Sequence, residues 1–197
     1  ERYLNKSNGL VEKISFDDEI NFLFISRLVK SKGIYEAINL FNELKNTYKK
    51  AKLNIVGDGK ERDELLDYIK TRNISGIKYH GELNGNDKYE IIKKSHILLF
   101  LSSHGEGLPN VVLESLLYGV VIISSDMGAI GEWVNHDNGY IYSSYDKIKI
   151  ITYIKDLIND PSQYHLISKY NHEYASSRFT IDVVRKKILN IYREMTK

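Results

Sequence analysis

Ser102-Ser103-His104-Gly105-Glu106-Gly107-Leu108-Pro109-Asn110-Val111-Val112-Leu113-Glu114 follows directly on the unbroken apolar run Ile97 to Leu101. Together the two stretches read as a strand covered on both faces, a tight loop and the start of a helix. Gly105 and Gly107 permit the loop, and Pro109 suits the first helical position, where its missing N–H removes nothing the helix would use. The helix is expected to run to Tyr118, with Gly119 as its stop. Its first turn leaves the N–H groups of Asn110, Val111 and Val112 without intrahelical partners, and the helix dipole adds partial positive charge there. Such an end binds anions, phosphates above all.

Glu106 and Glu114 bracket that end, with seven residues between them. Neither suits a phosphate, but a carboxylate beside a phosphate site accepts hydrogen bonds from hydroxyls, as on a ribose or a hexose. The pair therefore suggests a sugar attached to a diphosphate. A solvated helix residue and an idle loop residue are the alternative readings.

On either side of this stretch, strand and helix alternate. Strands are expected at Ile20 to Ser26, Lys52 to Val56, Ile77 to His80, Ile97 to Leu101, Val120 to Ser124 and Gly139 to Tyr142. Helices are expected over Ile34 to Lys49, Lys60 to Arg72, Asp87 to Lys94, Gly128 to Asn135, Lys147 to Asn159, Pro161 to Ala175 and Ile181 to Met195. The pattern predicts an α/β fold, a doubly wound and mainly parallel six-stranded Rossmann-like sheet. In the usual order 3-2-1-4-5-6, strands one and four are neighbours where the winding reverses, and ligands bind at that switch point beyond the strands' carboxyl ends. The loop carrying Arg27 and Lys32 would then face the loop carrying Glu106 to Asn110. Two cations opposite a helix N-terminus could hold a diphosphate and stabilise its charge on departure.

Composition excludes several classes. The chain has 197 residues, 42% hydrophobic and 27% charged, with a net charge of +2 and no cysteine. So small a charge excess demands neither nucleic acid nor an anionic membrane. The lack of cysteine rules out disulfides and thiolate metal sites, and fits a reducing compartment. No apolar run approaches the roughly 20 residues of a membrane span, and no signal peptide is visible. Gly57-Asp58-Gly59-Lys60-Glu61-Arg62 follows a strand as a dinucleotide fingerprint should, but has Arg62 where the last glycine belongs. Residues 1–19 read as a linker or N-terminal extension, and 20–197 as the Rossmann-like unit with its C-terminal helices.

Read together, these residues resemble the nucleotide-sugar-binding half of retaining GT-B glycosyltransferases of family 4 (group 1). The resemblance is carried by Phe24 to Gly33 as the Arg and Lys loop, Ile55-Val56-Gly57-Asp58-Gly59 as the second-strand signature, and His80-Gly81-Glu82-Leu83 as a base-binding loop. Glu106 to Glu114 is similar to the paired-glutamate motif, and Asp126 to Glu132 to a later segment, where Ala129 and Gly131 depart from the usual Gly and Pro. The resemblance implies that Arg27 and Lys32 neutralise the donor diphosphate without a metal or other cofactor, and that Glu106 meets a hydroxyl of the transferred sugar. It further implies that Glu114 holds the ribose, that Gly107, Leu108, Asn110 and Val111 meet phosphates and sugar, and that Leu83 contacts the base. An acceptor domain would precede this one, so the chain, which opens at Glu1, is expected to be the C-terminal half of a longer enzyme and inactive alone. The implied setting is bacterial surface polysaccharide or lipopolysaccharide synthesis in the cytoplasm, at the inner face of the membrane with peripheral association, using a saccharide or lipid-linked acceptor and no nucleic acid. A phosphorylase, a sugar-nucleotide epimerase and a non-catalytic nucleotide-binding module remain open as alternatives.

Overall fold

The computed structural model describes residues 19–105, 107 and 109–195. The expected extension up to residue 18, Glu106 and Leu108 lie outside the described residues; Glu19, at the boundary, is ion-paired to Lys52. Strands β1 (Ile20–Ile25), β2 (Ala51–Val56), β3 (Ile77–Tyr79), β4 (Ile97–Phe100), β5 (Val121–Ser125) and β6 (Gly139–Tyr142) form one sheet. Its order is β3-β2-β1-β4-β5-β6 and every pair is parallel. Helices α1 (Ile34–Thr47), α2 (Arg62–Thr71), α3 (Gly85–Lys94), α4 (Asn110–Leu117), α5 (Lys147–Asn159), α6 (Pro161–Phe179) and α7 (Ile181–Met195) complete the fold.

Alternation along each strand sends side chains to opposite faces, and two cores result. Phe22 and Phe24 join Leu53, Ile55, Leu99 and Ile123 with Ile38, Phe41 and Leu44 of α1, Leu65 of α2 and Ile154 and Leu157 of α5. Leu23 points the other way, into a core with Leu98, Ile122, Ile92 of α3 and Val112, Leu116 and Leu117 of α4. All four β4 residues are buried, as a central strand with helices on both faces requires. Burying a Leu, Ile or Phe side chain contributes about 1.5–3 kcal/mol, so these two layers dominate stability.

The first turns of α5 and α6 are secured by polar groups. Asp146 and Asp160 cap α5 and α6, each accepting two backbone N–H bonds, and Pro161 occupies the first turn of α6. Behind α4, the buried Asn171 donates to the carbonyls of Val120 (2.8 Å) and Asn138 (3.0 Å) and accepts from the Asn138 side chain at 2.9 Å. This pair clamps α6 to the β5–β6 side of the sheet.

Two local expectations differ from the structure. The helix expected over Gly128 to Asn135 is a single 3-10 turn, Ile130–Glu132. Gly128 is left-handed (φ 73°), and an added Cβ on Gly131 would lie 2.2 Å from Asp126 Oδ1, so the chain winds round that carboxylate instead of propagating a helix. Pro109 sits one place before the first helical residue, extended at φ −68° and ψ 131°, and its carbonyl accepts the Val112 N–H at 3.0 Å. Val112 therefore has the partner that the sequence reading denied it.

Candidate functional site

β1 and β4 are hydrogen-bonded neighbours although β2, β3 and three helices intervene in sequence, so the loops that follow them leave the same end of the sheet side by side. After β1 the chain buries Leu28, whose N–H donates to the Asp58 carbonyl at 2.9 Å and whose carbonyl accepts the Glu61 N–H at 3.1 Å. Gly59 passes so close that an added Cβ would lie 2.4 Å from the Leu28 carbonyl oxygen. The Gly57 to Gly59 turn thus braces the loop of Arg27 and Lys32; no dinucleotide reading is needed to explain its glycines.

That loop then makes one 3-10 turn, Lys30–Lys32, and reverses at Gly33 (φ 77°). There it meets the other loop. The Ser31 carbonyl accepts the Ser103 N–H at 2.9 Å and the Ser103 hydroxyl at 3.2 Å, and the buried Ser102 carbonyl accepts the Ser125 hydroxyl at 2.6 Å. Three loops at the carboxyl ends of β1, β4 and β5 are thereby locked together beside the N-terminus of α4.

Arg27 is exposed and Lys32 half-buried. Burial, and then the adjacent Arg27 guanidinium, hold the Lys32 ammonium below the usual lysine range. Lys30, in the same turn, lies 3.7 Å from Glu61 and 3.6 Å from Glu64 of α2 and so belongs to a different, acidic surrounding. Two cations that disfavour each other and sit beside a helix N-terminus form a site whose electrostatic cost an anion relieves.

α4 begins with no side-chain cap among the described residues. Asn110 and Gly107 are exposed and Val111 half-buried; among the described residues nothing lies within 4 Å of a Cβ built on Gly107, so that backbone is open to close approach. Leu83 lies in the loop before α3, half-buried against the second core, and the Gly81 carbonyl before it accepts the Gly57 N–H at 2.8 Å. His80 pairs with Asn54 Oδ1 at 2.8 Å, and burial, then Lys78, push its pKa down.

Glu114 is buried, which sets aside the solvated-residue reading. Its Oε1 accepts from Lys88 Nζ at 2.7 Å and from the Tyr89 hydroxyl at 3.1 Å, whereas Oε2 is buried with no hydrogen-bond partner among the described residues. Lys88 and Tyr89 were not candidates from the sequence: nothing in their spacing links them to a helix 26 residues away. The structure therefore gathers Arg27 with Lys32, seats their loop on the one preceding α4, and joins Glu114 to the helix that follows Leu83. A groove of about 440 Å³ on the outer side of α1, lined by Glu36, Asn39, Glu43, Tyr145 and Lys147 among others, shares no residue with this group.

A switch-point crevice with paired cations, an open helix end and a buried carboxylate is the arrangement in which a Rossmann-like domain can receive an anionic ligand. The chain belongs to the family Glycosyl transferases group 1, whose model matches residues 10–174. It is 25% identical over 205 residues to the capsular polysaccharide biosynthesis glycosyltransferase CapM of Staphylococcus aureus, covering 100% of this chain and 52% of that protein. The C-terminal domain of a glycosyl transferase group 1 family protein (LpcC) from Francisella tularensis superposes with a TM-score of 0.71 at 21% identity, covering 82% of this chain and 87% of that one. Anabaena HepE, solved in complex with UDP, gives 0.78 at 21% identity over 90% of this chain and 49% of that one. These likenesses show the fold of a GT-B glycosyltransferase C-terminal domain. The chain spans about half the length of curated relatives that it matches end to end.

Proposed function

We propose that this chain is the donor-binding half of a retaining, family 4 glycosyltransferase that moves a sugar from a nucleoside diphosphate to an acceptor hydroxyl. The observation that carries the reading is the Ser31 to Ser103 junction, which sets the loop of Arg27 and Lys32 against the loop that opens α4. In this reading the bond between the anomeric carbon and the diphosphate oxygen breaks, and its electron pair leaves with the diphosphate. Arg27, Lys32 and the α4 N-terminus with Gly107, Asn110 and Val111 stabilise that charge with no metal or cofactor, which is the protein's main contribution to an oxocarbenium-like transition state. The acceptor oxygen attacks from the face the diphosphate leaves and passes its proton to the departing diphosphate oxygen, so the anomeric configuration is retained. Glu114 holds the ribose and Leu83 meets the base through its main chain, while Glu106 and Leu108 complete the sugar site.

UDP in HepE supports a nucleoside diphosphate as ligand, and the name of CapM supports a saccharide acceptor and surface polysaccharide synthesis. The setting we propose is the cytoplasm, with peripheral association at the inner face of the membrane. No helix among the described residues is long and apolar enough to cross a membrane. Calorimetric titration of the chain with UDP, GDP and ADP tests the reading. One of them should bind equally with and without a chelator, and Glu114→Gln should weaken it about ten- to a hundredfold, as expected for a lost charged hydrogen bond. Loss of binding on chelation overturns the metal-free part, and no binding by any of the three overturns the site.

A further inference from the structure

Among the described residues Glu114 stands out as a buried carboxylate with both described partners on one oxygen. A carboxylate offers about four acceptor positions, so leaving one oxygen bare out of water sacrifices hydrogen bonds that folding normally keeps. What makes the arrangement tolerable is Lys88. Its ammonium lies 2.7 Å from Oε1, with its side chain only 21% exposed, and such a short charge-assisted bond holds a carboxylate in one orientation. Lys88 is itself held from a second side, since its Nζ lies 4.9 Å from the centroid of the Tyr89 ring, which it faces as a cation over an aromatic plane. Lys88 and Tyr89 are consecutive residues of α3, so one turn of helix supplies both the countercharge and the second donor to Oε1.

We propose that Lys88 is a positioning residue for nucleotide recognition, holding the Glu114 carboxylate by Oε1 so that Oε2, covered in the unliganded chain, is the oxygen left to accept from the ribose hydroxyls when the donor enters and uncovers it. The inference rests on the donor-site reading above. Lys88 does not touch the nucleotide; it keeps Glu114 pinned by Oε1. A ligand hydroxyl that reaches Oε2 supplies the bond the fold leaves unmade, and a ligand without that hydroxyl leaves the carboxylate as it was. Lys88 therefore confers selectivity for ribo- over deoxyribonucleotides through Glu114, and it should leave diphosphate affinity as such untouched.

The test compares two ligands across variants: the nucleoside diphosphate among UDP, GDP and ADP that binds best, and its 2′,3′-dideoxy counterpart. In the unmodified chain the dideoxy ligand should bind about ten- to a hundredfold more weakly. Lys88→Met and Lys88→Gln should shrink that ratio to about threefold or less, because the two groups act as one unit. Most of the change should fall on the ribonucleotide, and Lys88→Arg should restore the ratio. An unchanged ratio in Lys88→Met and Lys88→Gln overturns the inference, including the case in which both ligands weaken equally because Lys88 contacts the diphosphate. A ratio near one in the unmodified chain, or one that survives Glu114→Gln, overturns the ribose role of Glu114 itself. Melting curves of each variant show that the folded protein is being compared, and Lys88→Arg, which keeps the charge, carries the test if the neutral variants do not fold.

Discussion

At Lys32, partial burial and the neighbouring Arg27 both disfavour the ammonium, so its pKa lies below the ordinary lysine value. A group whose protonated form is destabilised by folding and stabilised by an anion links binding to pH. The bound diphosphate favours the ammonium, so affinity should be level near neutrality and fall as pH rises through the lowered Lys32 pKa, beginning below the ordinary value of about 10.4. Titration of the nucleoside diphosphate from pH 7 upward should show this fall, and Lys32→Met should remove it along with about 1.5–3 kcal/mol of binding. A fall of the same size in Lys32→Met would assign it to another group. The sequence made Lys32 a candidate through its place after a predicted strand. Its electrostatic strain was not legible there, because it depends on how deep the turn sinks and how near Arg27 comes. Glu114 was legible by spacing, but Lys88 and Tyr89 were not.

The decisive element is the β1–α1 connection, and Gly33 is where it is most constrained. The residue is left-handed at φ 77°, and an added Cβ would lie 2.2 Å from the Leu101 carbonyl oxygen and 2.7 Å from Leu101 Cβ. The Leu101 carbonyl is backbone that follows β4 directly and cannot yield as the far end of a flexible side chain would. Gly33→Ala should therefore destabilise the chain by about 2–4 kcal/mol, from left-handed strain and overpacking together. The shift should also move the Ser31 carbonyl off Ser103 and weaken nucleotide binding. Chemical denaturation and titration of the variant measure both effects, and a neutral Gly33→Ala would show that the two loops are not tightly joined. Conversely, the stretch from Gly128 to Asn135 shows why a helix-like pattern can fail. Its apolar residues, Ile130 and Val134, are buried as a helix reading requires, but Gly131 must hug Asp126 and the backbone N–H of Asn135 goes to the Asn138 side chain at 3.0 Å.

For the molecule as a whole, the share of its relatives' length that this chain spans bears on what it can do alone. Under the proposed function, the chain should bind a nucleoside diphosphate and transfer no sugar, whereas the protein extended by an acceptor domain should transfer. In that longer protein Glu106→Gln should lower kcat while leaving affinity for the free nucleoside diphosphate nearly unchanged, since a contact to the transferred sugar acts mainly in the transition state. Product analysis with a nucleotide sugar checks both; turnover by the chain alone, or a loss of nucleotide affinity in Glu106→Gln, would refute them. By itself the sequence determined the doubly wound class, the six strands within a residue or two, their order and the loops that border the crevice. Those features follow from periodicity over neighbouring residues, from glycine and proline punctuation, and from the few ways that alternating strands and helices can bury both faces of a sheet. Only the tertiary structure decided that Ser31 bonds Ser103, that Asn171 clamps α6 to the sheet, and that Lys88 pins Glu114 with one oxygen bare. Ser31 and Ser103 stand 72 residues apart and Lys88 and Glu114 stand 26 apart, and whether such groups meet within 3 Å depends on how the helices seat on the sheet, a matter of side-chain packing that no local pattern encodes.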